Sequence, residues 1–474
     1  LTESRTYIKD LILNIECDFP VNNWKANNIH LWPYLRIKLF FYLIKTLEVK
    51  PENYVLQDNQ FKKKAILKQV KRALGIKFRQ VQKIIAYYSW KNKLEPKDII
   101  FVGADSHRVD YRGARFNRYF DVLIEKNNWL LNSIYFEYAS KFDNQYNPKN
   151  VLKFKEALNG FQILKKKKEI IFSLDGYPEF LSYLESQTIF NEFVKTYSVG
   201  KLTTWCQNIF FSKKEFFTVI LKKIKPKKIA ILCYYSEDIY PLIAAANELG
   251  IETIEMQHGP QNKLHLSYGS WSVVPKEGYD ILPRTFWCWD DFSKNEIKSW
   301  TKNNTLYNVI VTGNPWVNYW KEKNNNYIYK NYVLYSLQPE PIPYNVLFTP
   351  IIIKTIKNSS KTWFIRLHPR QLNDIGKIKK TLKENNILHL VNIDNATQDP
   401  LPQLLLNCCV HITHSSGSTL EANCFNIKTI LINKMGLLYY PHLIKNGSAK
   451  FVNYETKNFD EQINKLIDIL PSWE

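Results

Sequence analysis

Three short polar clusters in this 474-residue chain combine residue types that hold anions or move protons. The densest is Ser415-Ser416-Gly417-Ser418-Thr419, which follows the apolar run 410–414 and opens the helical stretch 420–426. Hydroxyls donate to phosphate oxygens, and a glycine lets the backbone come close. A helix start adds unpaired N–H groups and a positive dipole end. Glu421, inside the first turn, is placed to hold a ribose hydroxyl. One Ser or Thr would be enough to cap a helix. Four hydroxyl residues exceed that need, which favours anion binding over simple capping. The second cluster, His368-Pro369-Arg370, directly follows the run 362–367. Its proline fixes the turn and removes one donor, leaving His368 and Arg370 to meet phosphate or base. The third is Gln257-His258-Gly259-Pro260, at the end of the run 251–257. A histidine beside a carboxylate serves as a general base near neutral pH. Glu237, Asp238 and Asp105 stand at comparable strand ends, in no firm order, with Asp175 next. The competing reading makes His258 a structurally bonded turn residue. Ser106, His107, Arg108 and Gln257 complete this side as candidate acceptor contacts.

These clusters need strand ends to hold them, and the pattern supplies such ends. Short apolar runs at 97–103, 129–138, 169–174, 227–235, 251–257 and 309–313 read as strands. Between two of them, 239–250 reads as a helix closed by Gly250, making a βαβ unit and hence a parallel sheet. A second series runs through 332–337, 362–367, 387–392, 410–414 and 428–433, with the Asn-rich segment 321–331 as the expected linker. In doubly wound sheets ligands bind outside the carboxyl ends of the strands, and each polar cluster falls there. Several chemistries are absent from the sequence. It has no P-loop, no Rossmann glycine fingerprint after a strand, no nucleophile elbow and no HExxH. It also has no Asp-x-Asp to hold a cation on a diphosphate, so a phosphate site here would have to work with amides, hydroxyls and cations, without metal or cofactor.

The charge is uneven. Lys and Arg number 65 against 44 Asp and Glu, and between Asp58 and Glu95 there are eleven cations and no acid. The first 95 residues read as helical. The segment 28–46 is apolar but interrupted by Arg36 and Lys38, so it does not read as a bilayer span. In 62–86, Ile66, Val70, Leu74, Phe78, Val81 and Ile85 share one helical face with Lys and Arg around them. Two readings compete: a solvated helix packed on the body, or a helix lying on an anionic membrane surface. A nucleic-acid binder would carry its basic and aromatic residues through the sheet regions instead. The seven cysteines are scattered without a CxxC, which fits a reducing cytoplasm.

The pairing of His368-Pro369 with Ser415-Ser416 resembles the donor-site motifs of bacterial sialyl- and polysialyltransferases and of β-Kdo transferases, which are GT-B glycosyltransferases of surface polysaccharide synthesis. Gln257-His258-Gly259 and Arg366-x-His368-Pro369 resemble, more distantly, teichoic-acid glycerophosphotransferases. The acidic motif of sialyltransferases is reduced here to Leu174-Asp175-Gly176, with one acid. The resemblance implies an α/β GT-B fold, two tandem Rossmann-like domains facing a cleft. The expected boundaries are a helical basic section 1–95, an acceptor domain 96–325 and a nucleotide-sugar donor domain 326–474. The implied activity is inverting, metal-independent transfer of a CMP-activated sugar such as Kdo to a lipid-linked saccharide of capsule or O-antigen. It would take place peripherally at the inner face of the cytoplasmic membrane, without nucleic acid. Alternatives are a CDP-polyol phosphotransferase, a UDP- or GDP-sugar-dependent GT-B enzyme, a nucleotide-sugar epimerase, and a non-catalytic membrane or nucleic-acid binding protein.

Overall fold

Apolar runs of two to six residues, each ending in polar or turn-forming residues, build two parallel sheets in the computed structural model. The structure describes residues 2–48, 69–138, 143–165, 168–323, 326–339 and 342–469. Two compact units result: Tyr7–Thr312, here the N unit, and Gly313–Glu474 with Leu1–Thr6, here the C unit. Two tandem Rossmann-like units with a helical section at the start define a GT-B type of fold.

The chain opens with helices α1 (Thr2–Asp18), α2 (Trp32–Glu48) and α3 (Gln69–Asn92). The N-unit sheet follows, with β1 (Ile99–Ala104), β2 (Ser133–Tyr138), β3 (Val151–Leu152), β4 (Lys228–Ile231), β5 (Glu252–Met256), β6 (Thr285–Cys288) and β7 (Asn308–Val311). Its strand order is β7-β6-β5-β4-β1-β2-β3, parallel throughout. The chain starts at β1, winds one way to β3, then returns and winds the other way from β4. The switch point therefore lies between β1 and β4. Among the helices of this unit are α4 (Lys155–Leu164), α5 (Phe211–Ile224), α6 (Tyr240–Glu248) and α7 (Asp291–Thr301). Helix α6 packs between β4 and β5 in the chain as a crossover, and Gly250 after it takes φ of +70°, as a helix-ending glycine does.

Residues 7–48 contribute to the N-unit core. Ile8, Ile12, Leu35 and Leu39 are fully buried in one cluster with Ile100, Ile229 and Ile243. Arg36, which interrupts the apolar run of α2, is itself buried. Its Nε donates to Glu16 Oε1 at 2.6 Å, and its other nitrogens donate to the carbonyls of Leu266 and Ser270. Its guanidinium lies 4.1 Å from the Trp271 ring centroid. Glu16 also accepts from Trp32 Nε1 and from the Ser272 amide. Among the described residues, no helix is long and apolar enough to cross a membrane.

Helix α3 lies against α4 and α5. A Cβ at Gly160 would stand 2.1 Å from the Lys83 carbonyl, so only glycine lets the two backbones approach this closely. Tyr87 and Trp90 of α3 pack on Phe161 and Phe216. Residues 62–68 of the amphipathic stretch lie outside the described residues.

The C unit holds α8 (Pro315–Lys321) and a six-stranded parallel sheet: β8 (Tyr332–Ser336), β9 (Trp363–Arg366), β10 (Val391–Asn392), β11 (Cys408–Thr413), β12 (Thr429–Leu431) and β13 (Ala449–Phe451). Its order is β10-β9-β8-β11-β12-β13, so its switch point falls between β8 and β11. The unit also holds α9 (Leu401–Leu405) and α10 (Ser418–Cys424).

Some expectations change. The run 169–174 supplies only Phe172–Ser173, and these pair antiparallel with Lys25–Ala26 in a small separate sheet. The start of the 129–138 run is turn, because β2 begins at Ser133. The units divide at Thr312/Gly313, while the sequence reading placed domain boundaries at 95/96 and 325/326. The difference at the second boundary is α8, which packs against α9.

Candidate functional site

In the C unit, the loops after β8, β9 and β11 are joined by two glutamines. The Gln338 side-chain oxygen accepts the Ser415 amide at 2.6 Å, directly across the switch point. The Gln338 carbonyl accepts from Gln371 Nε2 at 3.0 Å, and Gln371 Oε1 accepts the His368 amide at 3.2 Å. His368 Nδ1 accepts the Arg370 amide at 3.1 Å, closing the turn that Pro369 begins. With Nδ1 so used, the neutral ring carries its proton on Nε2 and is a donor there. Arg370 and Pro369 are exposed and His368 is half-buried.

The hydroxyl cluster divides. Ser416 and Gly417 are half-exposed, and Ser416 Oγ accepts the Ser418 amide at 3.3 Å. Tyr440 holds this loop by donating to the Ser416 carbonyl at 2.8 Å and contacting the Ser415 carbonyl at 3.2 Å. Ser418 points inward to His411 Nε2 at 3.2 Å, and His411 also meets Ser336 and Thr429. Thr419 is fully buried and Glu421 nearly so. Burial holds the His411 ring down at about 3, so it is a neutral packing hub. The exposed donor set is therefore Ser416, the Gly417 backbone, His368 and Arg370, with Ser415 held in place behind them. Arg366 is spent on the carbonyls of Ala396 and Asp399.

In the N unit the loops at the switch point carry His107 and Cys233–Tyr235, and His258 follows β5 next to them. The Ala104 amide donates to His107 Nδ1 at 3.1 Å, so the neutral His107 carries its proton on Nε2. His258 Nδ1 faces the Met256 carbonyl at 3.4 Å and Glu255 Oε1 at 3.5 Å. A donor is needed there, which places the proton on Nδ1 and leaves Nε2 as a base. The two rings stand edge to face with centroids 5.5 Å apart. Burial first, then the Arg118 charge, hold His258 at about 4, while burial and the neighbouring His258 hold His107 well below its usual range.

Glu255 is the residue the sequence reading missed. It is fully buried, accepts from the Tyr268 hydroxyl at 2.6 Å and from the Tyr234 amide at 3.0 Å. Burial outweighs those bonds and pushes its carboxyl up to about 8, a neutral acid at neutral pH. The Tyr234 amide is turned toward it by Cys233, a non-glycine residue at φ +65°.

The other candidate bases are engaged elsewhere. Glu237 accepts from Lys38 Nζ at 2.8 Å and Trp205 Nε1 at 2.8 Å. Burial works against its charge, but Lys38 and Trp205 prevail and hold it below the usual range. Asp238 pairs with Lys213, and Asp105 with Arg115 at 2.8 Å. Arg108 is buried against Glu137 and Asp121, tying the hairpin 108–117 to β2. Gln257 is committed to the Trp289 amide, the Gly259 carbonyl and Ser293. Ser106 is exposed, and the Asp175 carbonyl accepts from Trp24 Nε1. Among the described residues, no group of three His, Cys, Asp or Glu stands where it could hold a metal ion.

No protein-family model matches the chain, and no curated protein matches it in sequence. Solved structures do match. The UDP-GlcNAc 2-epimerase of Methanocaldococcus jannaschii aligns at 14% identity over 79% of this chain and 94% of its own, with a TM-score of 0.43. The UDP-GlcNAc 2-epimerase of Neisseria meningitidis, solved with UDP-GlcNAc bound, aligns at 15% over 78% and 91%, with 0.42. A further UDP-N-acetylglucosamine 2-epimerase aligns at 12% over 80% and 89%, with 0.46. These neighbours correct the expectation of a CMP-Kdo glycosyltransferase acting on a lipid-linked saccharide, since they are UDP-sugar epimerases. The physical reason is that His-Pro and Ser-Ser at strand ends describe phosphate handling, which one fold offers to several chemistries. They encode neither the nucleobase nor the fate of the sugar.

Proposed function

We propose that this chain is an enzyme acting on a nucleoside-diphosphate sugar of the UDP or GDP type, with the nucleotide held by the C unit without a metal. The observation that carries this reading is the Gln338–Ser415 hydrogen bond across the switch point. It sets the Ser416-Gly417 loop in register with the His368-Arg370 turn at the carboxyl edge of the sheet, where doubly wound folds bind ligands. Two donor groups on separate loops suit two linked phosphates. One offers a hydroxyl and backbone N–H groups, and the other an imidazole N–H and a guanidinium. In the N unit the same reading gives His258 Nε2 the role of proton acceptor. It takes precedence over Asp105, Glu237 and Asp238, each of which is held in an ion pair.

Titration calorimetry with UDP, UDP-GlcNAc, GDP and CMP tests the first part. A uridine or guanosine diphosphate binds, CMP binds more weakly, and Arg370→Ala and Ser416→Ala each lose roughly 1.5–3 kcal/mol of affinity, as for hydrogen bonds to charged groups. If no nucleotide binds, or both variants bind as the wild type does, the assignment is withdrawn. Following UDP-GlcNAc by NMR in the presence of the enzyme then reports the fate of the sugar, and His258→Ala abolishes turnover while nucleotide binding persists.

A further inference from the structure

The last turns of α3 carry two apolar faces. Tyr87 and Trp90 form the inner one, held on Phe161 and Phe216 with Gly160 beneath the backbone. Val81, Ile85 and Tyr88 form the outer one, at intervals of four and three, and they remain 51%, 62% and 49% exposed. Three such residues on one stripe are not the scattered singles of an ordinary surface. The same interval runs back in the sequence through Phe78, Leu74 and Val70. Among the described residues, the body of the protein occupies the inner face and leaves the outer stripe exposed.

The charge around the stripe selects the occupant. No acid occurs between Asp58 and Glu95, while eleven Lys and Arg do, and Arg79, Lys83 and Lys93 are exposed on α3 and just beyond it. A second copy would bring the same cations together, and like charges at that density repel. A nucleic-acid surface would match the charge but offers nothing to aliphatic Val81 and Ile85, whereas strand binders stack aromatic rings on bases. An anionic lipid surface satisfies both parts: phosphate headgroups for the cations and acyl chains for the apolar stripe. We infer that the outer face of α3, centred on Val81, Ile85 and Tyr88, docks the protein on an anionic bilayer, with the helix lying in the interface plane.

Co-sedimentation of the full chain with vesicles tests this. Wild-type protein pellets with phosphatidylglycerol–phosphatidylcholine vesicles at about 0.1 M salt and not with phosphatidylcholine alone. It is released at about 1 M salt, where the screening length falls from about 10 Å to about 3 Å. Val81→Ser, Ile85→Ser and Tyr88→Ser combined lower the partition coefficient at least about tenfold with unchanged Tm, because all three side chains are already exposed. Lys83→Glu with Lys93→Glu lowers it by roughly fivefold per cation engaged. Wild-type protein that stays in the supernatant with anionic vesicles overturns the inference, as does a triple variant that partitions unchanged. Sedimentation equilibrium showing a dimer that the triple variant dissolves assigns the stripe to a second copy instead. Binding to a short single-stranded RNA but not to vesicles overturns it too.

Discussion

Replacing Glu255 with Gln should change how stability depends on pH while leaving the fold in place. The amide oxygen can accept the Tyr234 N–H and the amide nitrogen can donate to the Tyr268 oxygen, so both partners of the carboxyl keep a bond. In the native protein Glu255 holds its proton up to about pH 8, whereas in the unfolded chain it ionises near its ordinary value of 4.5. A carboxyl with a raised native pKa contributes stability that is complete below the unfolded pKa and is lost as pH rises through the native one. The loss is about 1.36 kcal/mol per unit. Over the lower part of that range His258 works in the opposite sense. Its native pKa of about 4 lies below its unfolded value of 6.5, so it adds stability as pH rises to 6.5. The useful window is pH 6.5 to 8, where the Glu255 contribution should cost the wild type roughly 2 kcal/mol relative to the variant. Urea denaturation of wild type and E255Q, followed by tryptophan fluorescence at pH 6.5, 7, 7.5 and 8, gives the difference directly. The gap between the two proteins should close by, or shift in favour of the variant by, about 2 kcal/mol across the window. Parallel profiles would refute the reasoning, because they would mean that Glu255 is ionised in the fold throughout.

Arg36→Met should destabilise the N unit by about 3–5 kcal/mol, because it leaves Glu16 as a buried carboxylate without its cation; a urea midpoint close to the wild-type value would contradict the buried pair. Gln338→Leu should cost about 1–3 kcal/mol, since it strands the Ser415 amide, and should weaken nucleotide binding alongside; calorimetry and thermal melting on the same sample separate the two effects. Acid should unfold the protein early. His107, His258, His411 and His414 are all held below their usual pKa by burial, so the stability they contribute is present above about pH 6.5 and drains as pH falls toward 4; circular dichroism showing no loss between pH 6.5 and 4 would argue that these rings are not buried.

The positions of the polar clusters were legible because each stands where an apolar run gives way to Gly, Pro or hydroxyl residues, and that change marks a strand end. Sequence spacing also singled out the stripe on α3. What it did not contain was which side of that helix meets the body: Tyr87 and Trp90 take the inner face, and only the position of α4 and α5 decides that. The partner of His258 was hidden for a related reason. Glu255 lies inside the strand Glu252–Met256, where an acid reads as a solvent-facing alternation, and its burial comes from Tyr234 and Tyr268, thirteen or more residues away. Glu237 looked available until Lys38 arrived from α2, 199 residues earlier in the chain. Gln338 carried a usable signal, as the polar residue directly behind a buried strand and before Pro339. The short strand Thr285–Cys288 gave almost none, since four residues are too few to show a period.

The Arg36 clamp has a consequence for how the protein is made. Its carbonyl partners at Leu266 and Ser270 lie 230 and 234 residues downstream. A ribosome adding about 5–20 residues per second needs on the order of 10–50 s to deliver them. Over that interval the strands emerge one after another, β1 first and β5 only at residues 252–256, so α1 and α2 present Ile8, Ile12, Leu35 and Leu39 to a sheet that is still incomplete. Native contacts of this sequence separation close slowly and late. The opening helices are therefore the part of the nascent chain that a holding chaperone should engage first, and the part whose removal should leave an N unit that aggregates rather than a smaller one that folds.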